Sequence, residues 1–427
     1  MVKELTTKMK DSGVEWIGEI PEDWELVRIS SVVKERSDKV SSIDYEPLSV
    51  TKQGVVPQLE GVAKSNNPND RKKVIKGDFV INSRSDRKQS CGIAPVDGSV
   101  SLINIILKLK RILPEYTKYL LDNYGFAEEF YRWGTGIVDD LWSTNYEKMK
   151  RIIIPLPPQS QQKSIANFLD IKTQEIDNII SKTKKAIEEY KKYKQSLITE
   201  TVTKGLDKNV KMKDSGIEWI GEIPEHWDII RPNRVCKILR GNSSFQKIDL
   251  ESKGDYIALQ YGRTYKVDIV DDSYRHYVDR SFYKSDQIVE NGDTVLISTS
   301  ETMEDLGHSC FYNRDDIGLL GGEQMCLKPN KDNVQGKFLY YATKYFHIEL
   351  NQYATGLKVY RFRLDDLKKI NIVLPPKDEQ YKIISFLDEK LPLIDQIIST
   401  KEKLLIEMEA YKKSLIYETV TGKREVE

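Results

Sequence analysis

The chain carries one passage twice. Residues 9–24 read MKDSGVEWIGEIPEDW and residues 212–227 read MKDSGIEWIGEIPEHW, so fourteen of sixteen positions agree at a constant offset of 203. A second echo follows each copy. Residues 157–203 align without a gap to 375–421 at an offset of 218, with 24 of 47 positions identical. The order is module, helix, module, helix. A repeat constrains a fold before any local pattern does, because one solution must serve both copies. This period is far too long for a solenoid. It predicts two homologous domains, each followed by its own long helix, and 427 residues suffice for that. The expected divisions are 1–156, 157–207, 208–374 and 375–427, with residues 1–8 a loose leader.

Within each module, short β-branched and aromatic runs lie between turn signals. Phe79-Val80-Ile81 after Gly77-Asp78 matches Thr294-Val295-Leu296-Ile297 after Gly292-Asp293, and Gly92 matches Gly307 at the same offset of 215. Between strand and glycine the content differs: SRSDRKQSC at 83–91, STSETMEDL at 298–306. Farther on, Leu109-Lys110 matches Leu327-Lys328. A helical stretch follows near 116–130 and 336–350, and then Thr135-Gly136 and Thr355-Gly356. This reads as an α/β or α+β domain with a mostly antiparallel or mixed sheet. The Trp- and Ile-rich opening passage (Trp16, Ile17, Ile20, Trp24) reads as a hydrophobic clasp, since such residues mostly bury area.

Each module ends in a proline stop, IIIPLPP at 152–158 and INIVLPP at 370–376. Heptads follow. Leu169, Ile176, Thr183, Tyr190 and Leu197 form one row; Ile165, Ile179, Ala186 and Tyr193 supply much of a second. The other copy has Leu387, Ile394, Met408 and Leu415 beside Ile383, Ile397, Leu404 and Tyr411. Sustained heptads with charges between them predict a coiled coil. Thr173 is placed to cap the first helix, and Pro392 predicts a kink or fresh start in the second. A helix over 173–201 would run about 44 Å. Antiparallel pairing of the two helices would give a pseudo-twofold dumbbell, two heads on a rod of fixed length.

Composition narrows the chemistry. Formal net charge is zero, which argues against a blanket polyanion binder but leaves room for local basic faces. Cys91, Cys236, Cys310 and Cys326 form no CxxC and read as reduced thiols of a cytoplasmic protein. No signal peptide or membrane-length apolar run is visible, so no membrane partner is expected. P-loop, GxGxxG, HExxH and GxSxG patterns are missing, the four histidines lack ligand spacing, and no metal or cofactor is expected in this chain. Asn66-Asn67-Pro68-Asn69 lacks the aromatic and second proline of an amino-methyltransferase tetrapeptide.

The polar segments are better candidates, because Arg, Lys and Gln can fork onto base edges and phosphates. They are Arg84, Arg87, Lys88 and Gln89 in the first module. In the second they are Gln260, Tyr261 and Arg263, Glu323 and Gln324, and Lys358 and Arg361. Arg71, Lys72 and Lys73 suit phosphates. Each charge run alone is usually a solvated face, but recurrence in two related heads raises the signal. Two unlike heads on a spacer of about 44 Å, or roughly 13 base pairs, suit a split, asymmetric target on double-stranded DNA.

The opening passages, the helix starts IANFLDIKTQEIDNII (165–180) and ISFLDEKLPLIDQII (384–398), and the helix ends YKQSLITETVTKG (193–205) and YKKSLIYETVTGK (411–423) together resemble the specificity subunits of type I restriction–modification systems. The resemblance covers essentially the whole chain; ETVTKG departs from the usual TGK-like ending. It implies two target recognition domains, each reading half of a bipartite DNA sequence. The helices would set the gap and dock two modification subunits, with Leu169, Ile176, Ile179, Leu197, Leu387, Ile394, Ile397 and Leu415 as the helix-face residues. Those partners would hold S-adenosylmethionine and methylate adenine. Two restriction subunits that hydrolyse ATP would add translocation and cleavage where the complex carries them, and this chain itself would be non-catalytic. Two other readings compete: a coiled-coil adaptor without DNA, and a stand-alone methyltransferase or nuclease.

Overall fold

The computed structural model describes residues 8–59, 69–136, 142–303 and 305–426. The leader at 1–7 and Asn66-Asn67-Pro68 lie outside them. The chain divides into two compact units, 1–185 with 402–427, and 186–401. Each unit therefore holds one module and one half of each long helix.

The two modules each build a sheet of the same strand order. In the first unit, Cys91–Ile93, Phe79–Asn82, Asn104–Leu109 and Val33–Glu35 lie in that order, all antiparallel. In the second, Ser309–Tyr312, Thr294–Ile297, Gln324–Pro329 and Cys236–Arg240 repeat it, and Ile269–Val270 joins in parallel. The entry to the shared central strand is built identically. Gly77 and Gly292 take φ of 90° and 97°, as the tight turn requires. The next residue, Asp78 or Asp293, is buried and accepts the backbone N–H of Ile75 (2.9 Å) or Glu290 (2.8 Å). A buried carboxylate needs a cation. Arg36 supplies it at 2.7 Å in one copy and Lys328 at 2.5 Å in the other.

The register corrects one alignment. Phe79 faces Leu107 and Thr294 faces Leu327, so Leu107-Lys108, not Leu109-Lys110, is the counterpart of Leu327-Lys328. A slip of two keeps every side chain on its face, so the pattern could not distinguish them. The second sheets diverge more. Gly98–Ser101, Arg71–Val74 and Lys39–Val40 are antiparallel, whereas Tyr256–Leu259 runs parallel to Gly318–Leu320 in a mixed sheet. The helical stretches are each broken in two, Pro114–Leu120 with Tyr124–Arg132 and Gly336–Thr343 with Phe346–Leu350. Asn123 restarts the first pair by accepting the Phe126 N–H at 3.0 Å.

The opening passage is a clasp. Met9–Asp11 pairs with Glu19–Pro21, and Met212–Asp214 with Glu222–Pro224. Ile17, Ile20 and Trp24 are buried, as are Ile220, Ile223 and Trp227, each contributing about 1.5–3 kcal/mol. The first hairpin closes on the end of the second long helix, where the Tyr417 hydroxyl donates to the Trp16 carbonyl (2.9 Å) and Lys423 Nζ to the Ile17 carbonyl. Left-handed glycines seal both ends: Gly422 packs on Pro21 and Trp24, and Gly205 on Trp227. The exchanged Lys and Gly of the two endings shift the helix stop, with the helices ending at Lys204 and Val420.

The long helices span Gln159–Lys204 and Lys377–Val420. Both start directly after the paired prolines, so Thr173 does not cap a helix; it lies inside one, its hydroxyl donating to the Leu169 carbonyl at 2.6 Å. Nor does Pro392 begin a new helix. The helix runs through it, with buried Leu391 and Ile394 on either side holding the turn against its core. The first helix, at 46 residues, is thus about 69 Å long rather than 44 Å. In the first unit, Lys412 meets Asp177 (2.7 Å) and Lys184 approaches Glu409 (3.7 Å). In the second, Lys194 meets Asp395 (2.7 Å) and Lys401 lies over the Tyr190 ring. Partner numbers fall as the first helix advances, so the pairing is antiparallel, as expected.

The seam departs from the heptad reading in one row. Leu169, Ile176 and Thr183, with Leu387, Ile394 and Leu415, are buried as expected. The second row is Thr173, Ile180, Ile187 and Thr201 with Leu391, Ile398 and Thr419, buried or partly buried. It is not the row of Ile179 and Ile397, which are 44% and 38% exposed. Adjacent isoleucines at 179–180 and 397–398 made the choice ambiguous; neighbours one apart point about 100° apart on a helix.

Candidate nucleic-acid interface

In the second unit, separate segments converge on a groove of about 670 Å³. Gln260 and Tyr261 follow the Tyr256–Leu259 strand, Glu323 stands on the turn before Gln324–Pro329, and Arg361 belongs to a two-residue strand paired with Thr299–Ser300. Lys247 and Glu301 also line it. The Tyr261 hydroxyl is anchored on the Thr299 carbonyl (3.2 Å), leaving its ring to the groove. Gln324 is not available. It is buried, donating to the Leu259 carbonyl (2.6 Å) and accepting from Thr264 Oγ1 (3.1 Å), and so ties the turn to the strand beneath. Arg263 and Lys358 do not line this groove.

Glu323 has an uncommon backbone, with φ of 60°. Two glycines precede it, yet the glutamate takes the left-handed conformation. Ser298 holds it there, donating both its backbone N–H (3.1 Å) and its hydroxyl (2.9 Å) to the Glu323 carbonyl. The other non-glycine residue with positive φ among the described residues is Gln89, also 60°. Both stand in segments singled out from the sequence, and backbone strain of about 1–3 kcal/mol persists where the surroundings over-determine it.

The first unit arranges its candidates differently. Arg84 reaches Asp86 at 3.1 Å, Arg87 leans on the same carboxylate at 3.7 Å, and Lys88 pairs with Glu128 at 3.0 Å. The Gln89 amide donates to the Asp122 carbonyl at 3.0 Å. Of the phosphate cluster, Arg71 must be corrected. It is buried, and its guanidinium donates to the Ser99 hydroxyl and carbonyl, both at 2.8 Å; burial lowers its pKa. Lys72 is partly buried and donates to the Asn104 carbonyl at 2.8 Å, and Lys73 stands 4.7 Å over the Tyr45 ring.

The helix-face residues separate too. Leu169, Ile176, Leu387, Ile394 and Leu415 are buried within their units and Leu197 is partly buried, so these pack the chain on itself; Ile179 and Ile397 stay open. What sequence reading missed is how the helices hold the heads. Gln162 is buried, donating to the Pro157 carbonyl (2.9 Å) and accepting the Leu113 N–H (2.9 Å). Gln380 does the same with Pro375 (2.9 Å) and Gln335 (2.8 Å). Asp170 takes Lys118 and Tyr119, each at 2.5 Å, and Asp388 takes Lys337 (2.7 Å) and Tyr341 (2.5 Å). Their identity in both copies was the available signal.

Among the described residues, no three His, Cys, Asp or Glu side chains are placed to hold a metal, and no helix is long and apolar enough to cross a membrane. The four cysteines are buried and unbridged.

Residues 224–410 match the family model of the type I restriction modification DNA specificity domain. A putative type I restriction enzyme specificity subunit, MjaX, of Methanocaldococcus jannaschii is 27% identical over 95% of each chain. The MjaVIII specificity subunit of the same organism is 26% identical over 95% of this chain and 93% of its own. In fold, the chain is similar to one in a structure of a type I R-M system (TM-score 0.72, 16% identity, 94% of this chain and 98% of that one). It is also similar to the HsdS subunit of Thermoanaerobacter tengcongensis (TM-score 0.54, 18% identity, the same coverage). Two related α/β modules, two long antiparallel helices and these likenesses agree: along nearly its whole length the chain is similar to type I restriction enzyme specificity subunits, and its residues 224–410 match their DNA specificity domain.

Proposed function

We propose that this chain reads DNA for a type I restriction–modification complex and carries out no chemistry itself. The observation that carries the proposal is one sheet frame repeated with two unlike polar surfaces. A shared frame lets both modules meet a duplex in the same manner, while unlike surfaces select unlike bases. Each module, within 1–156 and 208–374, then reads one half of a bipartite, asymmetric target. Gln260, Tyr261, Glu323 and Arg361 read in the second unit, with Arg263 and Lys358 on phosphates nearby. Arg84, Arg87 and Lys88 read in the first, with Lys72 and Lys73 on phosphates.

The helices, within 157–207 and 375–427, set the gap and dock two modification subunits. In the first unit Ile179 and Tyr411 are 44% and 45% exposed, beside the Asp177–Lys412 and Lys184–Glu409 pairs. In the second, Tyr193 and Ile397 are 54% and 38% exposed, beside Lys194–Asp395. Each unit thus offers one isoleucine and one tyrosine flanking the seam, which suits two copies of one partner. Those partners bring S-adenosylmethionine and the adenine methyl transfer; restriction subunits bring ATP hydrolysis and cleavage.

The test is a genome-wide map of methylated adenines in cells expressing this chain with its neighbouring modification subunit. A split, asymmetric motif that disappears without this chain is the expected result. Unchanged methylation, with the complex shown to assemble, would leave a protein adaptor instead.

A further inference from the structure

The most unusual group in the second unit's groove is an acid. A carboxylate repels phosphates, so in a DNA-facing groove it needs a hydrogen-bond donor to face. Among the described residues, no cation lies within ion-pairing distance of the Glu323 carboxylate, although Arg361 and Lys247 line the same groove. Its backbone is held left-handed by the two bonds from Ser298, and the next residue, Gln324, is locked into the core. The side chain therefore leaves from a fixed point, which is what selective recognition demands.

We infer that Glu323 is a base-reading residue whose carboxylate accepts a hydrogen bond from an exocyclic amino group, with cytosine N4 the best-matched donor. This rests on the DNA-reading function proposed above. In the major groove guanine and thymine present acceptors, which a carboxylate repels. Adenine presents its amino group beside the N7 acceptor, which also opposes a carboxylate. Cytosine presents the amino donor alone. The ladder register places Asn104 opposite Asn82 and Gln324 opposite Ile297, so the first unit's counterpart of Glu323 is Ile103. The carboxylate is a feature of one unit, and the cytosine it reads lies in one half-site.

The test is selection from a randomised duplex pool by the complex of this chain with its modification subunits, comparing wild type with E323G and E323Q. Glycine accepts the left-handed backbone without strain, so E323G removes the carboxylate while leaving the turn intact; thermal melting checks this. The expected wild-type motif has a cytosine at one position of one half-site, preferred roughly 10- to 100-fold. E323G should make that position indifferent and leave the others unchanged. E323Q should shift it toward adenine, whose N6 and N7 suit an amide. A wild-type motif kept at every position by folded E323G overturns the role of Glu323 alone. A wild-type complex that selects no motif overturns the DNA-reading function, and this inference with it.

Discussion

The two units present their polar residues in opposite ways. In the first, every candidate in the 83–91 loop already has a partner: Arg84 and Arg87 share Asp86, Lys88 holds Glu128, and Gln89 is fastened to Asp122. In the second, Arg361, Lys247 and Glu323 line a groove without such pairs among the described residues. A cation leaning on a carboxylate must abandon or share it to meet a phosphate, so its net gain is smaller. On the proposed reading, the first unit's surface would have to reorganise to meet DNA, whereas the second unit's would be ready to engage. Beneath both lies the same scaffold, with Gln162 and Gln380 making matching bonds.

The largest expected effect concerns the scaffold, where the units agree. Gln162→Ala or Gln380→Ala would leave a buried N–H and carbonyl without partners, costing about 2–4 kcal/mol. Urea unfolding followed by hydrogen exchange should place each loss in its own unit; losses under about 1 kcal/mol would mean these glutamines do not hold the heads.

Next comes the contrast itself. Arg361→Ala should weaken binding to the selected duplex roughly 10- to 100-fold, whereas Arg84→Ala or Arg87→Ala should cost under about fivefold. Anisotropy titrations at fixed salt decide this, and equal losses would erase the distinction between the surfaces.

A smaller effect lies under the first unit's loop. Burial pushes the Asp122 carboxyl up to about 7, against the hydrogen bond from Cys91 and the charge of Lys412. The folded protein then keeps a proton that the unfolded chain releases near pH 4. Stability is full below that value and declines as pH rises toward 7. Asp122→Asn should flatten this slope and be about 1–2 kcal/mol more stable than wild type at pH 8. Parallel urea midpoints from pH 4 to 8 for the two proteins would refute it.

Smallest is the release of a paired cation. Asp86→Asn should raise non-specific DNA affinity by a few-fold and steepen the salt dependence by about one counterion. An unchanged slope would show that Arg84 and Arg87 already reach phosphates in the wild type.

Much of this architecture was legible in the chain because a repeat states the same instruction twice. The clasp, the shared strand after Gly77 and Gly292, the proline stops and the first seam row of Leu169, Ile176, Leu387 and Leu415 all followed from residue type and spacing. The errors cluster where local pattern is degenerate. Two isoleucines in succession left the second seam row open, a two-residue slip on a strand preserved every face, and a threonine at 173 fits a helix cap and a helix interior alike.

By itself, then, the sequence determined the two modules, the two helices and the likeness to specificity subunits, since duplication and hydrophobic period are local properties written along the chain. Tertiary structure alone decided which polar residues are free. Arg71 and Gln324 have the composition of DNA contacts, yet each is enclosed by carbonyl or hydroxyl groups from distant strands. Glu323 has the composition of a solvated acid, yet Ser298 fixes it at the edge of a groove. Whether a side chain can meet a ligand depends on which distant groups reach it first, and those groups come together only when the strands pair.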